Sequence, residues 1–364
     1  MRPRRVLFLT RYGEISAATR YRATQYLPAL EAAGFECRVR PLLPDRYLQR
    51  SFGQGGGRSA LLSVAPEIAG SLLRRWWLLH REVASYDVVH LQYEALPYLP
   101  YAFERSLFTG RVPTAVDFDD AVSVAYERHP NPLVRALLAA KIPRIVAGSR
   151  HVTVANRTLE EWALRLNPRV SLLPNAIDLR RYPAAERLRP AGEVPVIVWI
   201  GTPVTAKYLR LLEDPLRRLR ERHPFRLKVI GVPDFRMEGV DVVALPWSEA
   251  TEVQELETSD IGVMPLPDDE WARGKSALKL LQYMAAGIVA VGSPVGANRD
   301  VISDGETGAL AADGAEWTEK LAALLADPAR RARLAAAGRR VVEERYSLRS
   351  NESRFVQILR GLVE

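Results

Sequence analysis

Cysteine is almost missing from this chain. Cys37 is the only one in 364 residues, so no internal disulfide can form and the composition fits a reducing compartment. Lysine is scarce as well: Lys141, Lys207, Lys228, Lys275, Lys279 and Lys320 complete the set. No unbroken apolar stretch approaches the roughly 20 residues of a membrane span. The run Val6–Thr10, behind the basic start, is too short for a secretory core, and no small-residue cleavage site follows it. Together these absences predict a cytoplasmic protein, with peripheral attachment at the inner membrane face as the one membrane option left open. Zinc-type His/Cys spacing, a Gly-x-Ser-x-Gly elbow and a Walker A lysine loop are also missing. No Gly-x-Gly-x-x-Gly follows the first apolar strand, which argues against a dinucleotide dehydrogenase.

What the chain does have is an ordinary globular composition, 48% hydrophobic and 26% charged. Its length suits two domains, each with its own core. The net charge of +8 points to an anionic partner: nucleic acid, a membrane surface or a phosphorylated substrate. The excess is mostly arginine spread along the chain, with no basic tail and no interleaved aromatics, so nucleic acid is not expected. Three of the six lysines fall in the motifs described below, where a compact ammonium suits a phosphate. An arginine-biased composition is the plain alternative.

Short apolar strands alternate with helical patterns, the signature of parallel sheets flanked by helices. In the first half the strand candidates are 5–10, 36–41, 87–91, 114–118, 152–155 and 170–173, with helices over 20–33, 60–83, 132–147 and 159–166. Cys37 reads as a buried strand residue. A polar stretch, 175–193, carries Pro183 and Pro190 and reads as a linker. Strands at 194–200, 226–230, 240–244, 260–264 and 288–292 follow, with helices near 208–222, 249–258, 277–286, 316–327, 329–344 and 348–363. The fold class expected is α/β, two Rossmann-like doubly wound parallel sheets facing across a cleft. Residues 1–175 form the N-terminal domain, 176–193 the linker and 194–347 the C-terminal domain. The last helix, 348–364, is a candidate to cross back to the first domain. Residues 49–58 form a glycine-rich loop, read as mobile rather than as a phosphate cradle. The helix behind it carries Arg74-Arg-Trp-Trp77, which suits either a membrane face or burial on the sheet.

Two strand–turn–helix segments in the second half carry chemistry. Trp199–Lys207 ends a strand in Gly201 and Thr202 and then opens a helix, so amides and Lys207 can meet a diphosphate. In Ile261–Gly287, a loop with Arg273 and Lys275 precedes a helix start at Gly274–Ser276, and Gly287 caps the far end. An anion at the amides of Ser276, Ala277 and Leu278 would meet the helix dipole and Lys275. Lys279 and Gln282 share one helix face.

The segments Gln282-Tyr-Met-Ala-Ala-Gly287, Ser293-Pro-Val-Gly-Ala-Asn298 and Asp304-Gly-Glu-Thr-Gly308 resemble the donor half of the family-4 retaining glycosyltransferases of GT-B architecture. Leu173-Pro-Asn-Ala-Ile-Asp178 is similar to their interdomain signature. Ala18-Thr-Arg-Tyr-Arg22 and Gln25–Gly34 resemble their first loop and helix. The likeness spans nearly the whole chain, in order. It departs where the family carries two glutamates eight positions apart, here Gly274 and Gln282. It departs again where an Arg–Lys pair is represented by Thr202 and Lys207. An amide at 282 still offers a donor and an acceptor to a ribose hydroxyl.

The resemblance implies transfer of a sugar from a nucleotide-diphosphate-sugar to a hydroxyl acceptor, with retention and without a metal or other cofactor, in polysaccharide, glycolipid or other glycoconjugate biosynthesis. Lys207 and Lys275 would stabilise the leaving diphosphate. Asp119 and Asp120, at the end of a strand, would orient the acceptor or touch the donor sugar, with strand termination as the plain alternative. Donor contacts fall to Gly13, Gly201, Thr202, Arg273, Ser276, Ala277, Leu278, Lys279 and Gln282. Arg20, Arg22, His90 and Gln92 stand on the acceptor side. The acceptor can be lipid-linked, with peripheral membrane contact. Two other classes share the pattern: a GT-B-fold nucleotide-sugar epimerase, and a non-catalytic nucleotide-sugar-binding or scaffold protein with a degenerate donor motif.

Overall fold

The alternation of strands and helices resolves into two parallel six-stranded sheets. A computed structural model describes residues 2–48, 58–183 and 193–364, with the side chains of 58–64 left aside. The glycine-rich segment 49–57 lies outside the described residues. The chain divides into two compact units. The first comprises 1–175 with 273–276 and 351–364, and the second 176–272 with 277–350.

In the first unit the strands are β1 (Arg4–Tyr12), β2 (Phe35–Leu43), β3 (Val88–Gln92), β4 (Thr114–Phe118), β5 (His151–Val154) and β6 (Val170–Leu172). They run in the order β2-β1-β3-β4-β5-β6. In the second unit they are β7 (Val196–Ile200), β8 (Arg226–Ile230), β9 (Val242–Leu245), β10 (Ile261–Met264), β11 (Val289–Gly292) and β12 (Ala309–Leu310), ordered β12-β11-β10-β7-β8-β9. Helices cover both faces of a parallel sheet, so its central strands read as continuous apolar runs. Val6 to Leu9 and Ile197 to Trp199 are accordingly buried.

Proline decides where two expected long helices break. The pattern over 20–33 becomes a helix Ala17–Arg22, a 3-10 turn Thr24–Tyr26 and a second helix Leu27–Ala32. Pro28 lacks an N–H and its ring clashes with the preceding turn, so it is best accommodated in a helix's first turn, where it sits here. The pattern over 208–222 likewise splits into Ala206–Leu209, Arg210–Leu212 and Glu213–Arg222, with Pro215 in the last helix's first turn. Cys37 on β2 is half-buried rather than buried, and burial with the nearby Glu31 and Glu36 pushes its thiol up to about 12.

The C-terminal helix Leu348–Val363 brings Phe355 into the first unit's core. Its ring lies 4.7 Å from that of Tyr26, 5.3 Å from His90 and 6.3 Å from Phe8.

Candidate functional site

Each sheet reverses strand order at one point, β1/β3 in the first unit and β7/β10 in the second. Open α/β sheets leave a crevice beyond the strand carboxyl ends at such a point. The loops that follow these strands and their neighbours carry most of the residues singled out above.

In the first unit, Asp117 is the penultimate residue of β4, and Asp119 and Asp120 follow the strand. Asp119 is buried and accepts a short hydrogen bond from the Tyr93 hydroxyl. Tyr93, just past β3, has φ of 60°, an uncommon conformation for an aromatic residue that turns its ring back toward β4. Burial first, and the Asp120 carboxylate second, raise Asp119 to about 7, against the pull of Arg22 and the Tyr93 hydrogen bond. Asp120 pairs with Lys275 at 3.4 Å.

Lys275 reaches this place because 273–276 packs within the first unit. Asn156 caps the helix Arg157–Leu164 through its oxygen, which accepts from Leu159 N at 2.9 Å. Its amide nitrogen donates to the carbonyls of Gly274 (2.8 Å) and Lys275 (3.1 Å). Asn175 Nδ2 donates to Ser276 Oγ at 2.8 Å. Asn156 drew no attention in the sequence: an Asn after a strand signals a cap, and its second role lies across more than a hundred residues of chain. Tyr93 was missed for a similar reason, since nothing local marks a tyrosine as a carboxylate partner. Arg273 is exposed at the end of the short helix Glu270–Arg273.

In the second unit, the helix Leu278–Ala285 starts from Ala277, which sits in the left-handed region (φ 55°, ψ 20°) and supplies no side-chain cap. The first intrahelical bond runs from Leu281 N to Ala277 O. The amides of Leu278, Lys279 and Leu280 therefore lack intrahelical acceptors, and the helix dipole adds positive potential there. Lys279 Nζ lies 5.6 Å from the Trp199 ring centroid. Gln282, one turn on, is buried, and its Nε2 donates to Glu252 Oε1 at 3.1 Å. After β7, the amide of Thr202 donates to Thr205 Oγ1 at 3.0 Å, which closes the Gly201–Thr202 turn on itself. Lys207 is exposed, its Nζ 5.1 Å from the Tyr208 ring centroid.

The acceptor-side expectations meet a different arrangement. Arg22 is 1% exposed and grips Asp117 with two hydrogen bonds, Nε to Oδ2 at 2.9 Å and Nη2 to Oδ1 at 2.5 Å. It also donates to Leu173 O. Burial alone would raise Asp117, but Arg22 holds it below the usual carboxylate range. This pair ties the first helix to β4. His90 is buried among Phe8 and Phe355, with no hydrogen-bond partner for either ring nitrogen among the described residues. Burial chiefly, with a smaller push from Arg22, lowers it to about 4 against the pull of Asp117, so it is neutral at pH 7. Gln92 is buried and accepts from Arg11 N at 3.0 Å. Arg20 donates to the carbonyls of Glu14 (3.0 Å) and Ile15 (2.8 Å) and so shapes the loop after β1. Gly13 in that loop packs against Asp45, whose Oδ1 a β-carbon there would meet at 2.2 Å.

The helix Arg58–Arg81 divides its Arg-Trp cluster between the sheet and solvent. Leu78 and Leu79 are buried, and the buried Arg75 donates to Thr10 O (3.1 Å) and Arg40 O (2.7 Å). Leu73, Trp76 and Trp77 face outward, at 66%, 39% and 52% exposure. Among the described residues no helix is long and apolar enough to cross a membrane, and no group of His, Cys, Asp and Glu side chains is placed to hold a metal ion.

Taken together, the two sheets and their strand orders define the GT-B glycosyltransferase fold. Residues 194–327 match the family of glycosyl transferases group 1, which agrees with the likeness read from the sequence. No curated protein matches the chain in sequence. Among solved structures, sucrose-phosphate synthase from Thermosynechococcus elongatus is similar over 99% of both chains, with 17% identity and a TM-score of 0.68. A glycosyltransferase from Rickettsia africae matches over 100% of both chains, with 12% identity and a TM-score of 0.69. HepE of Anabaena, solved in complex with UDP-glucose, is similar over 98% of this chain and 99% of its own, with 13% identity and a TM-score of 0.63.

Proposed function

We propose that this protein is a hexosyltransferase that moves a sugar from a nucleotide-diphosphate-sugar to a hydroxyl acceptor, with retention at the anomeric carbon. The observation that carries the reading is the start of the Leu278–Ala285 helix, without a side-chain cap and springing from a left-handed Ala277, within the segment that matches the group 1 family. Such a helix start offers amides and a dipole to a diphosphate. Gln282 stands one turn further on for a sugar hydroxyl, and Lys279 flanks it. Lys207 and Lys275 supply the cationic charge for the leaving diphosphate as it develops, so the reading needs no metal.

On the first unit, the reading gives Asp119 and Asp120 the acceptor hydroxyl, with Asp119 acting in its ionised form. The exposed Leu73, Trp76 and Trp77, on a helix that also carries Arg74 and Arg81, support contact with an anionic membrane surface and thus a lipid-linked acceptor in glycoconjugate biosynthesis. Turnover tests the reading. The protein is incubated with UDP-, GDP-, ADP- and dTDP-hexoses and a panel of hydroxyl acceptors, and diphosphate release and product anomers are followed by NMR. Acceptor-dependent release with an anomer matching the donor is expected. Conversion of donor without acceptor would mean an epimerase, and binding without turnover a scaffold.

A further inference from the structure

The resemblance puts a glutamate where this chain has Gln282, and the structure shows a carboxylate beside that position that comes from elsewhere. Glu252 opens the short helix Glu252–Glu257, and its side chain is buried, 2% exposed. Three donors from three segments of the second unit surround it. Gln282 Nε2 donates to Oε1 at 3.1 Å, Trp247 Nε1 donates to Oε2 at 2.6 Å, and Arg181 Nη2 lies 3.9 Å from Oε1.

A primary amide can lie either way up, and its surroundings decide which end donates. A carboxylate only accepts, so Glu252 fixes the amide with its nitrogen inward. The amide oxygen then points to the other side of the group and can act only as an acceptor there. A glutamate at 282 would also only accept. We propose that Glu252 is a positioning residue that pins Gln282 as an acceptor, so that this amide performs the hydrogen bonding of a carboxylate toward vicinal hydroxyls such as those of a ribose. The negative charge is thereby moved from 282 to 252, where Trp247 and Arg181 hold it. The arrangement also explains why glutamate is unsuitable at 282: two carboxylates about 3 Å apart cannot both ionise without cost.

The inference rests on the donor-site reading above, and an exchange of the two residues tests it. Affinities of UDP, GDP, ADP and dTDP for the full chain are measured by calorimetry at pH 7.5. The tightest is then titrated into Glu252→Gln, Gln282→Glu and the double exchange. Each single change is expected to weaken binding about tenfold, the scale of one hydrogen bond involving a charged group. In the double exchange, the amide at 252 keeps an oxygen for Trp247 and turns its nitrogen to the carboxylate at 282. Affinity should return to within about threefold of the parent, because coupled neighbours are non-additive. Melting temperatures of all four proteins show which are folded. If the parent binds but Glu252→Gln leaves affinity unchanged, or the double exchange is no better than the weaker single, the pinning role is refuted and the donor site stands. If the parent binds none of the four diphosphates, the donor-site reading falls and this inference with it.

Discussion

A β-carbon added at Gly274 would lie 2.4 Å from the Cβ of Ala121 and 2.9 Å from its backbone nitrogen. The family likeness places a glutamate at 274, and this contact leaves no room for one. The glycine lets the 273–276 segment press against the residue after Asp120, which is what brings Lys275 to that carboxylate. Gly274→Ala should cost about 1–3 kcal/mol by overpacking, measured by chemical denaturation. Gly274→Glu should cost more and should not raise donor affinity. A glutamate variant that is as stable as the parent and binds donor more tightly would contradict this account.

The Asp119 carboxyl gives a pH signature. It titrates near 7 because of burial and, next, Asp120, and the proposed role requires the ionised form. Activity should therefore rise with pH through about 7, and Asp119→Asn should abolish this limb along with turnover. Asp120→Asn removes a neighbour that raises the Asp119 value, so any residual activity should have its acid limb at lower pH. Tyr93→Phe removes a hydrogen bond to the charged form and should move the limb up. Rate profiles between pH 5 and 9 check all three.

His90 gives the opposite sign in stability. Its folded-state value is about 4, against 6.5 for an exposed histidine. Between these values the unfolded chain binds a proton that the folded one refuses, so stability is lost as pH falls from 6.5 toward 4. The full difference is about 3 kcal/mol. His90→Phe should flatten that part of the stability curve relative to the parent and leave stability above pH 7 nearly unchanged. Denaturation at pH 5 and pH 7.5 measures the difference.

The architecture was legible because parallel strands must be apolar on both faces, and the runs at Val6–Leu9 and Val196–Ile200 say so directly. The breaks at Pro28 and Pro215 were also in the letters, but an amphipathic pattern running through them concealed the effect. Around the site, residues in strand–turn–helix segments were legible: Ala277, Leu278 and Lys279 sit at a helix start as expected. Residues that act through distant partners were not. Arg22 reads as an arginine near a ligand loop until Asp117, ninety-five positions on, is seen to take it. Glu252 is one acidic residue among several in the helix expected over 249–258, and only the fold places it beside Gln282. Polar residues at strand ends can serve the core or the crevice, and sequence spacing does not separate the two.

Whether this chain binds a nucleotide-diphosphate-sugar is decided by a thermal-shift screen of the full chain against UDP-, GDP-, ADP- and dTDP-sugars. A ligand at about 100 times its dissociation constant adds about 2.7 kcal/mol to the stability of the form that binds it. A clear upward shift is expected with one nucleotide class, reduced in Lys207→Ala and Lys275→Ala proteins. A well-folded protein whose melting is unmoved by all four classes, at millimolar concentration, would mean that it has no donor site.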